Sequence, residues 1–175
     1  MRWAFACVVC AVSAAVTGAA DARARAMRCA VPEEVSAIRV AAVQQELMVA
    51  ALTCHEIGRY NDFQTGYGPE LRTSDARLLG MFRRLYGGRR GEAAYHAFKT
   101  KLANDSEMRS IHDNPSYCLE AGAMLTTALA TERPTLEAFA RNLTVTLQQS
   151  PADGCVVEAA SSEPRRARHK RRHKD

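Results

Sequence analysis

Helical periodicity, interrupted by proline and glycine, is the feature that most limits what this chain can fold into. The clearest apolar stripe has spacings of i, i+1, i+4, i+7 and i+8, which place its members on one face of a helix: Leu78, Leu79, Phe82, Leu85 and Tyr86. Strand patterns are confined to Val145 and the pair Val156-Val157, which are too short to form a sheet. We therefore predict an all-α domain, a small irregular bundle of about five helices.

Proline, glycine and capping residues predict where these helices begin and end. The first helix starts at Pro32, with acidic residues in its first turn, and runs through Leu52. It must end or kink within residues 61–71, which contain two glycines and a proline. The other predicted helices run from the capping cluster Thr73-Ser74-Asp75 to Gly87-Gly88, from Gly91 to His112, from Pro115 to Arg133-Pro134, and onward from the cap Thr135.

The first 26 residues have the layout of a secretory signal peptide. A short basic start precedes an apolar run, Ala4 to Ala20, and small-x-small steps follow it. Cleavage is expected after Ala22 or Ala26. The alternative is a membrane anchor, but a spanning helix needs about 20 strongly apolar residues and this run is shorter and rich in alanine. We predict export to the periplasm or the outside of the cell, with no transmembrane segment after cleavage.

Four cysteines remain once the signal, which contains Cys7 and Cys10, is removed. An even number in an exported chain indicates two disulfides, with three possible pairings. Two of the four lie in apolar helical stretches and the other two lie just outside the first and last helices. We favour a nested pairing, in which the inner pair is Cys54 with Cys118 and the outer pair is Cys29 with Cys155. Another pairing or a free buried cysteine stays open.

Charge divides the chain into a helical domain, residues 27–157, and a basic tail, residues 158–175. The last 13 residues hold seven Lys or Arg and two acids, a net charge of +5, whereas residues 27–162 carry a net charge of −2. The tail is too polar to bury a core, so we predict that it is disordered and binds polyanions. The expected contacts are Arg165, Arg166, Arg168, Lys170, Arg171, Arg172 and Lys174.

Export determines which partner is expected for the tail. An anionic envelope surface or polymer is well placed to meet it, and a protein partner of unidentified kind is the other partner that we expect for the chain. We do not expect nucleic acid, because the tail has no aromatic residue on which bases could stack. The alternative is a solubilising tail that has no dedicated partner.

No motif in the sequence predicts catalysis, a cofactor or a metal. The stretch from His55 to Arg59 starts like the H-E-x-x-H zinc motif, but Arg59 replaces the second histidine, so Glu56 is expected to pair with it instead. We therefore predict a non-enzymatic binding or structural role. The alternative is a hydrolase of envelope polymers that uses acids near Tyr60–Leu71, with Glu56, Asp62 and Glu70 as candidates.

Two further segments each have two interpretations. The stretch Tyr60–Leu71 mixes aromatic, glycine and polar residues, and it is either a binding edge or a loop whose aromatics pack onto the bundle. Four arginines surround the turn Gly87-Gly88. They either contact an anionic partner or favour a helix C-terminus, where cations are stabilised by the helix dipole. These arginines are Arg83, Arg84, Arg89 and Arg90.

Several short motifs between Val35 and Leu129 resemble a group of uncharacterised small exported helical proteins of alphaproteobacteria. The motifs are Leu52-Thr53-Cys54, Tyr60-Asn61-x-Phe63, Pro69-Glu70-Leu71, Phe82-Arg83-Arg84-x-Tyr86-Gly87, Leu102-Ala103-Asn104 and Cys118. The resemblance implies a periplasmic or secreted location and a Cys54–Cys118 disulfide, and it implies no activity. The basic tail is not part of the resemblance.

Overall fold

The structure, a computed structural model, describes residues 29–143, which form six α-helices joined by short turns. No strand occurs in this part of the chain, so the all-α prediction is confirmed. The predicted signal peptide, residues 1–26, and the predicted tail, residues 158–175, lie outside the described residues. The helices are α1 (Pro32–Thr53), α2 (Ile57–Gly66), α3 (Gly68–Tyr86), α4 (Gly88–His112), α5 (Asn114–Ala128) and α6 (Leu136–Asn142).

Helix α1 is the centre of the bundle and contacts all five other helices. It begins at Pro32, as predicted. The side chain of Glu34 accepts a hydrogen bond of 3.0 Å from the backbone N–H of Val31, which satisfies one of the amides left unpaired at a helix start. Apolar side chains surround most of its circumference, because neighbouring helices cover it on several sides.

By length and composition, α1 is the one helix within residues 29–143 that could cross a membrane. Its most apolar 18-residue window has a mean hydropathy of 1.3, and 61% of that window is buried inside the bundle. The central helix of a globular domain meets the same criteria, so this finding is weak evidence for a membrane span. In this structure the helix is covered by protein.

The first predicted helix is in fact two helices. It was expected to continue into residues 61–71, but α1 ends at Thr53 and a separate helix, α2, follows. The turn between them contains His55, whose φ of +60° lies in the left-handed region and stops a right-handed helix. No glycine or proline marks this turn, so the sequence pattern did not indicate it. The break predicted within residues 61–71 is confirmed at Tyr67, between α2 and α3.

Two predicted helix starts lie too late in the sequence. Helix α3 begins at Gly68, with Pro69 in its first turn, so the cluster Thr73-Ser74-Asp75 lies inside the helix and does not cap it. Thr73 donates its hydroxyl to the carbonyl of Pro69, one turn back. Helix α4 begins at Gly88 rather than Gly91, because the single residue Gly87, with φ +80°, is enough to turn the chain.

The later helix starts agree with the sequence, but α5 ends at Ala128, five residues before the predicted stop at Arg133-Pro134. The side chain of Asp113 accepts a hydrogen bond of 3.2 Å from the backbone N–H of Ser116 and caps α5. The hydroxyl of Thr135 accepts one of 3.3 Å from the backbone N–H of Ala138 and caps α6, as predicted.

Two large clusters of buried residues form most of the core, and α1 contributes to both; a third, smaller cluster joins Ala50 of α1 to Tyr117 and Ala121 of α5. The first cluster joins the middle of α1 to α2, α5, α6 and the start of α3; its larger members include Leu47, Phe63, Tyr67, Leu125 and Phe139. The second joins the first half of α1 to α3 and α4; its members include Ile38, Leu78, Met81, Phe82 and Tyr95.

Candidate functional site

A disulfide joins Cys54, just after α1, to Cys118 in α5. The Sγ–Sγ distance is 1.99 Å and the Cα–Cα distance is 5.5 Å, which lies within the usual range for a bridge. The predicted inner pair is therefore confirmed. Cys29 is also disulfide-bonded. Its predicted partner, Cys155, lies outside the described residues, so the outer pair stays a prediction.

The segment Tyr60–Leu71 packs into the bundle. Phe63 and Tyr67 are fully buried, with ring centroids 5.2 Å apart, and Phe139 of α6 lies 6.5 Å from Tyr67. The hydroxyl of Tyr67 donates to the carbonyl of Pro134 at 2.9 Å. These contacts support the packing interpretation of the segment, because two of its three aromatic side chains are fully buried in the core.

The acids named for the alternative hydrolase are spread over different contacts. Glu56 pairs with Arg59 at 3.3 Å, which confirms the expected i, i+3 pair. The carboxylate of Glu70 accepts a hydrogen bond of 2.8 Å from the backbone N–H of Leu136, at the start of α6. Asp62 is exposed on α2. Two of the three carboxylates therefore have structural partners.

The arginine cluster around Gly87-Gly88 is divided in the structure. Arg83 pairs with Glu92 at 3.1 Å. Arg84 pairs with Glu34 and donates to the carbonyl of Cys29 at 3.1 Å, so it ties the end of α3 to the start of α1. Arg89 and Arg90 are exposed. The cluster thus contributes two structural ion pairs and two solvent-facing cations.

Glu46 forms a buried polar network that the sequence analysis did not identify. Its carboxylate accepts a hydrogen bond of 2.9 Å from Ser106 and pairs with Arg109, while the hydroxyl of Tyr117 donates to its backbone carbonyl at 3.0 Å. Burial raises the pKa of Glu46, and the charge of Arg109 opposes that rise. The available signal was a carboxylate inside an apolar helix, which needs a buried partner.

A second network links α3 to α4 and was also missed. The hydroxyl of Tyr95 and the ammonium of Lys99 donate to Asp75 at 2.6 and 2.8 Å. Burial alone would raise the pKa of Asp75, but hydrogen bonds from Lys99 and Tyr95 outweigh it and hold the pKa below its usual value. The spacing of Tyr95 and Lys99 puts them on one helix face, but nothing in the sequence identified Asp75 as their partner.

A polar groove runs between α1, α3 and α6, and we call it the α1–α3–α6 groove. It consists of two adjoining cavities of about 320 and 360 Å³ that share Ser36 and Glu137. The first cavity is also lined by Val40, Pro69, Glu70, Thr73, Ser74, Arg77 and Leu136. The second is also lined by Pro32, Val35, Arg39 and Arg141.

Two arginines of this groove have no polar partner within residues 29–143. Glu137 pairs with Arg141 at 2.9 Å, and Glu70 holds the α6 backbone. By contrast, Arg39 and Arg77 make no hydrogen bond or ion pair within residues 29–143. The groove therefore presents two unpaired guanidinium groups, one in each cavity. Sequence reasoning did not single them out, because arginines on exposed helix faces are common.

Within residues 29–143, no group of three or more His, Cys, Asp or Glu side chains could hold a metal ion. No protein-family model, curated protein or solved structure matches the chain. The resemblance to exported alphaproteobacterial proteins accordingly stays a prediction.

Proposed function

We propose that this chain is an exported, non-enzymatic binding protein whose basic tail attaches it to anionic surfaces of the cell envelope. The helical domain is the disulfide-stabilised body that the tail anchors. Its location would be the periplasm or the cell exterior.

The Cys54–Cys118 disulfide is the observation that carries the export proposal. Disulfides persist in oxidising compartments such as the periplasm and are rare in the reducing cytosol. The sequence of residues 1–26, with its apolar run and small-x-small steps, supports the same location.

Two polar networks that join helices support a binding role rather than catalysis. Glu46 and Asp75 are the carboxylates with environment-shifted pKa values that join separate helices, and each is held by cationic and hydroxyl partners. Such satisfied networks fix the relative positions of helices. A catalytic acid or base needs access to a substrate, whereas the side chain of Glu46 is only 6% exposed.

Charge segregation supports attachment through the tail. The tail carries +5 and the domain with its linker carries −2, so an anionic surface attracts one end of the molecule and repels the other weakly. Each Lys or Arg near an anionic lipid surface contributes about 1 kcal/mol to binding, so seven are enough for reversible attachment. Salt should weaken such binding strongly.

Vesicle binding tests the attachment. Purified chain is sedimented with phosphatidylcholine vesicles that contain or lack phosphatidylglycerol. We expect binding only with the anionic lipid, and a marked loss as salt rises from about 50 to 200 mM. Replacing the seven tail cations with Gln should abolish binding, whereas replacing the five tail arginines with Lys should preserve it. Unchanged retention of the Gln variant would overturn the proposal.

Cell fractionation tests export separately. We expect the chain in the periplasmic or extracellular fraction, with a mature N-terminus at Arg23 or Met27, next to the predicted cleavage sites. A cytoplasmic chain that still begins at Met1 would contradict export.

A further inference from the structure

We propose that the α1–α3–α6 groove binds a small anionic sugar, that is, a polyhydroxy body bearing a phosphate or carboxylate group. This site lies on the folded domain and is independent of the tail. The argument rests on the charges, hydroxyls and dimensions of the groove.

The two unpaired arginines supply the anion contacts. Arg39 lines one cavity and Arg77 lines the other, on either side of the shared residues Ser36 and Glu137. A guanidinium group donates in a fork that matches phosphate and carboxylate oxygens. The other charged lining residues are already engaged, because Glu137 pairs with Arg141 and Glu70 holds the α6 backbone. The groove therefore keeps cationic donors available for a ligand.

Hydroxyl groups and carboxylate oxygens supply contacts for the sugar hydroxyls. Ser36 lies where the two cavities meet, and Ser74 is only 8% exposed at the wall formed by α3. Neither serine hydroxyl has a hydrogen bond within the part of the chain that the structure describes. A serine hydroxyl both donates and accepts, and a glutamate accepts at both oxygens. Glu137 and Glu70 each use one oxygen in the contacts above, so the second oxygen can accept from a ligand.

The size and the apolar wall of the groove fit a single sugar ring. The cavities of about 320 and 360 Å³ lie at the lower end of the range for small-molecule sites. Val40, Pro69 and Leu136 line the first cavity and offer carbon surface to the C–H face of a ring. A large polymer would need a longer cleft, so we assign the site to a monosaccharide or a chain end.

Isothermal titration with defined probes tests the proposal on the full chain. The probes are glucose 6-phosphate, glucuronate, glucose and inorganic phosphate. We expect saturable binding of the first two and none of glucose. Inorganic phosphate should bind more weakly than glucose 6-phosphate. Equal binding of the two would overturn the sugar part of the proposal, and failure of both anionic sugars to bind would overturn all of it.

Matched arginine variants locate the site. Arg39→Gln and Arg77→Gln should each weaken binding about tenfold, since a charge-assisted hydrogen bond is lost. Arg72→Gln is the control, because Arg72 is an exposed arginine on α3 that lines a different cavity. The Arg72→Gln variant should bind the anionic sugars as tightly as wild type does. A loss of affinity equal to that of Arg77→Gln would contradict the proposed location of the site. Thermal unfolding should be unchanged in all three, because none of these arginines has a polar partner within residues 29–143.

A final arm separates this site from the tail. The titrations are repeated in the full chain with its seven tail cations replaced by Gln. Anionic-sugar binding should persist in that variant even though vesicle binding is lost. Its disappearance would assign the binding to the tail and overturn the groove proposal while leaving the tail proposal standing.

Discussion

Glu46 of α1 and Arg109 of α4 form an ion pair in which only the cation reaches solvent. The side chain of Glu46 is 6% exposed and that of Arg109 is 44% exposed. The guanidinium also lies 5.5 Å from the ring centroid of Tyr117, a distance typical of a cation–π contact. The carboxylate of Glu46 thereby holds α4 in place, while its backbone carbonyl accepts from Tyr117 of α5.

Removing the cation should destabilise the fold. Arg109→Met leaves the carboxylate of Glu46 buried without its charge partner, and we expect the free energy of unfolding to fall by about 2 to 3 kcal/mol. Urea denaturation measures this change. Arg141→Met is the control, because the Arg141–Glu137 pair is exposed on both sides and should cost less than about 0.5 kcal/mol. Equal effects of the two substitutions would contradict a special role for the Glu46 pair.

The pH dependence of stability should report on Glu46. Burial raises its pKa above the usual 4.5, so the native state holds this proton more tightly than the unfolded state does. The contribution of Glu46 to the free energy of unfolding is therefore greatest below pH 4.5, and it declines as the pH rises through the native pKa. The unfolding free energy of wild type, relative to Glu46→Gln, should fall as the pH rises above 4.5. A flat or rising difference would show that burial does not dominate at this site.

Asp75 should give the opposite slope. Its pKa is held below the usual 3.8 by Lys99 and Tyr95, against the effect of burial. The contribution of Asp75 to the free energy of unfolding is present above pH 3.8, and it is lost as the pH falls through the native pKa. Relative to Asp75→Asn, wild type should therefore lose stability on acidification. The measurement is urea denaturation below about pH 4, and a gain in relative stability there would contradict the network.

The Cys54–Cys118 bridge should contribute several kcal/mol to the free energy of unfolding. Its ends are 64 residues apart in sequence, and loop-closure entropy for that length gives about 4 kcal/mol. The double variant Cys54→Ala/Cys118→Ala should lose about that much in guanidinium denaturation, with Cys29 left intact.

Non-reducing peptide mapping of wild type should link Cys29 to Cys155. A different partner for Cys29 would overturn the nested pairing.

Two helical glycines should respond in opposite ways to alanine. A Cβ atom at Gly91 would lie 2.6 Å from both the Cα of Arg83 and the carbonyl oxygen of Phe82, so α3 and α4 would have to separate. We expect Gly91→Ala to lower the melting temperature and to cost about 1 to 3 kcal/mol. Gly80 has open space at the same position, and Gly80→Ala should stabilise α3 by about 0.5 to 1 kcal/mol. A destabilising Gly80→Ala would contradict this account.

Sequence alone predicted the parts of the fold that follow from local chemistry. Pro32, Pro115 and Thr135 mark real helix starts because a fixed φ or a side-chain cap acts within a few residues. The split after Thr53 was missed, because His55 adopts a left-handed conformation that its residue type does not indicate. That turn depends on tertiary packing and on the bridge beside it.

Less of the candidate site was predictable. The Cys54–Cys118 pair was expected, since cysteine is a conspicuous residue with few possible partners. The pairing of Glu46 with Arg109, and the meeting of Arg39 and Arg77 in one groove, depend on how distant helices pack. Helical periodicity places a residue on a face, but it does not say which other helix covers that face.

Helix α1 forms a wall of both large core clusters, and this arrangement bears on how the domain resists proteolysis. The two clusters use different residues of this one helix, so neither can release the helix without disturbing the other. We therefore expect the domain to melt as one cooperative unit, with little partial opening at lower free energy. Proteases cleave chains that open locally, so a shared central helix limits the sites they can reach. Resistance to degradation would thus come from the connectivity of the core as well as from its covalent bridge.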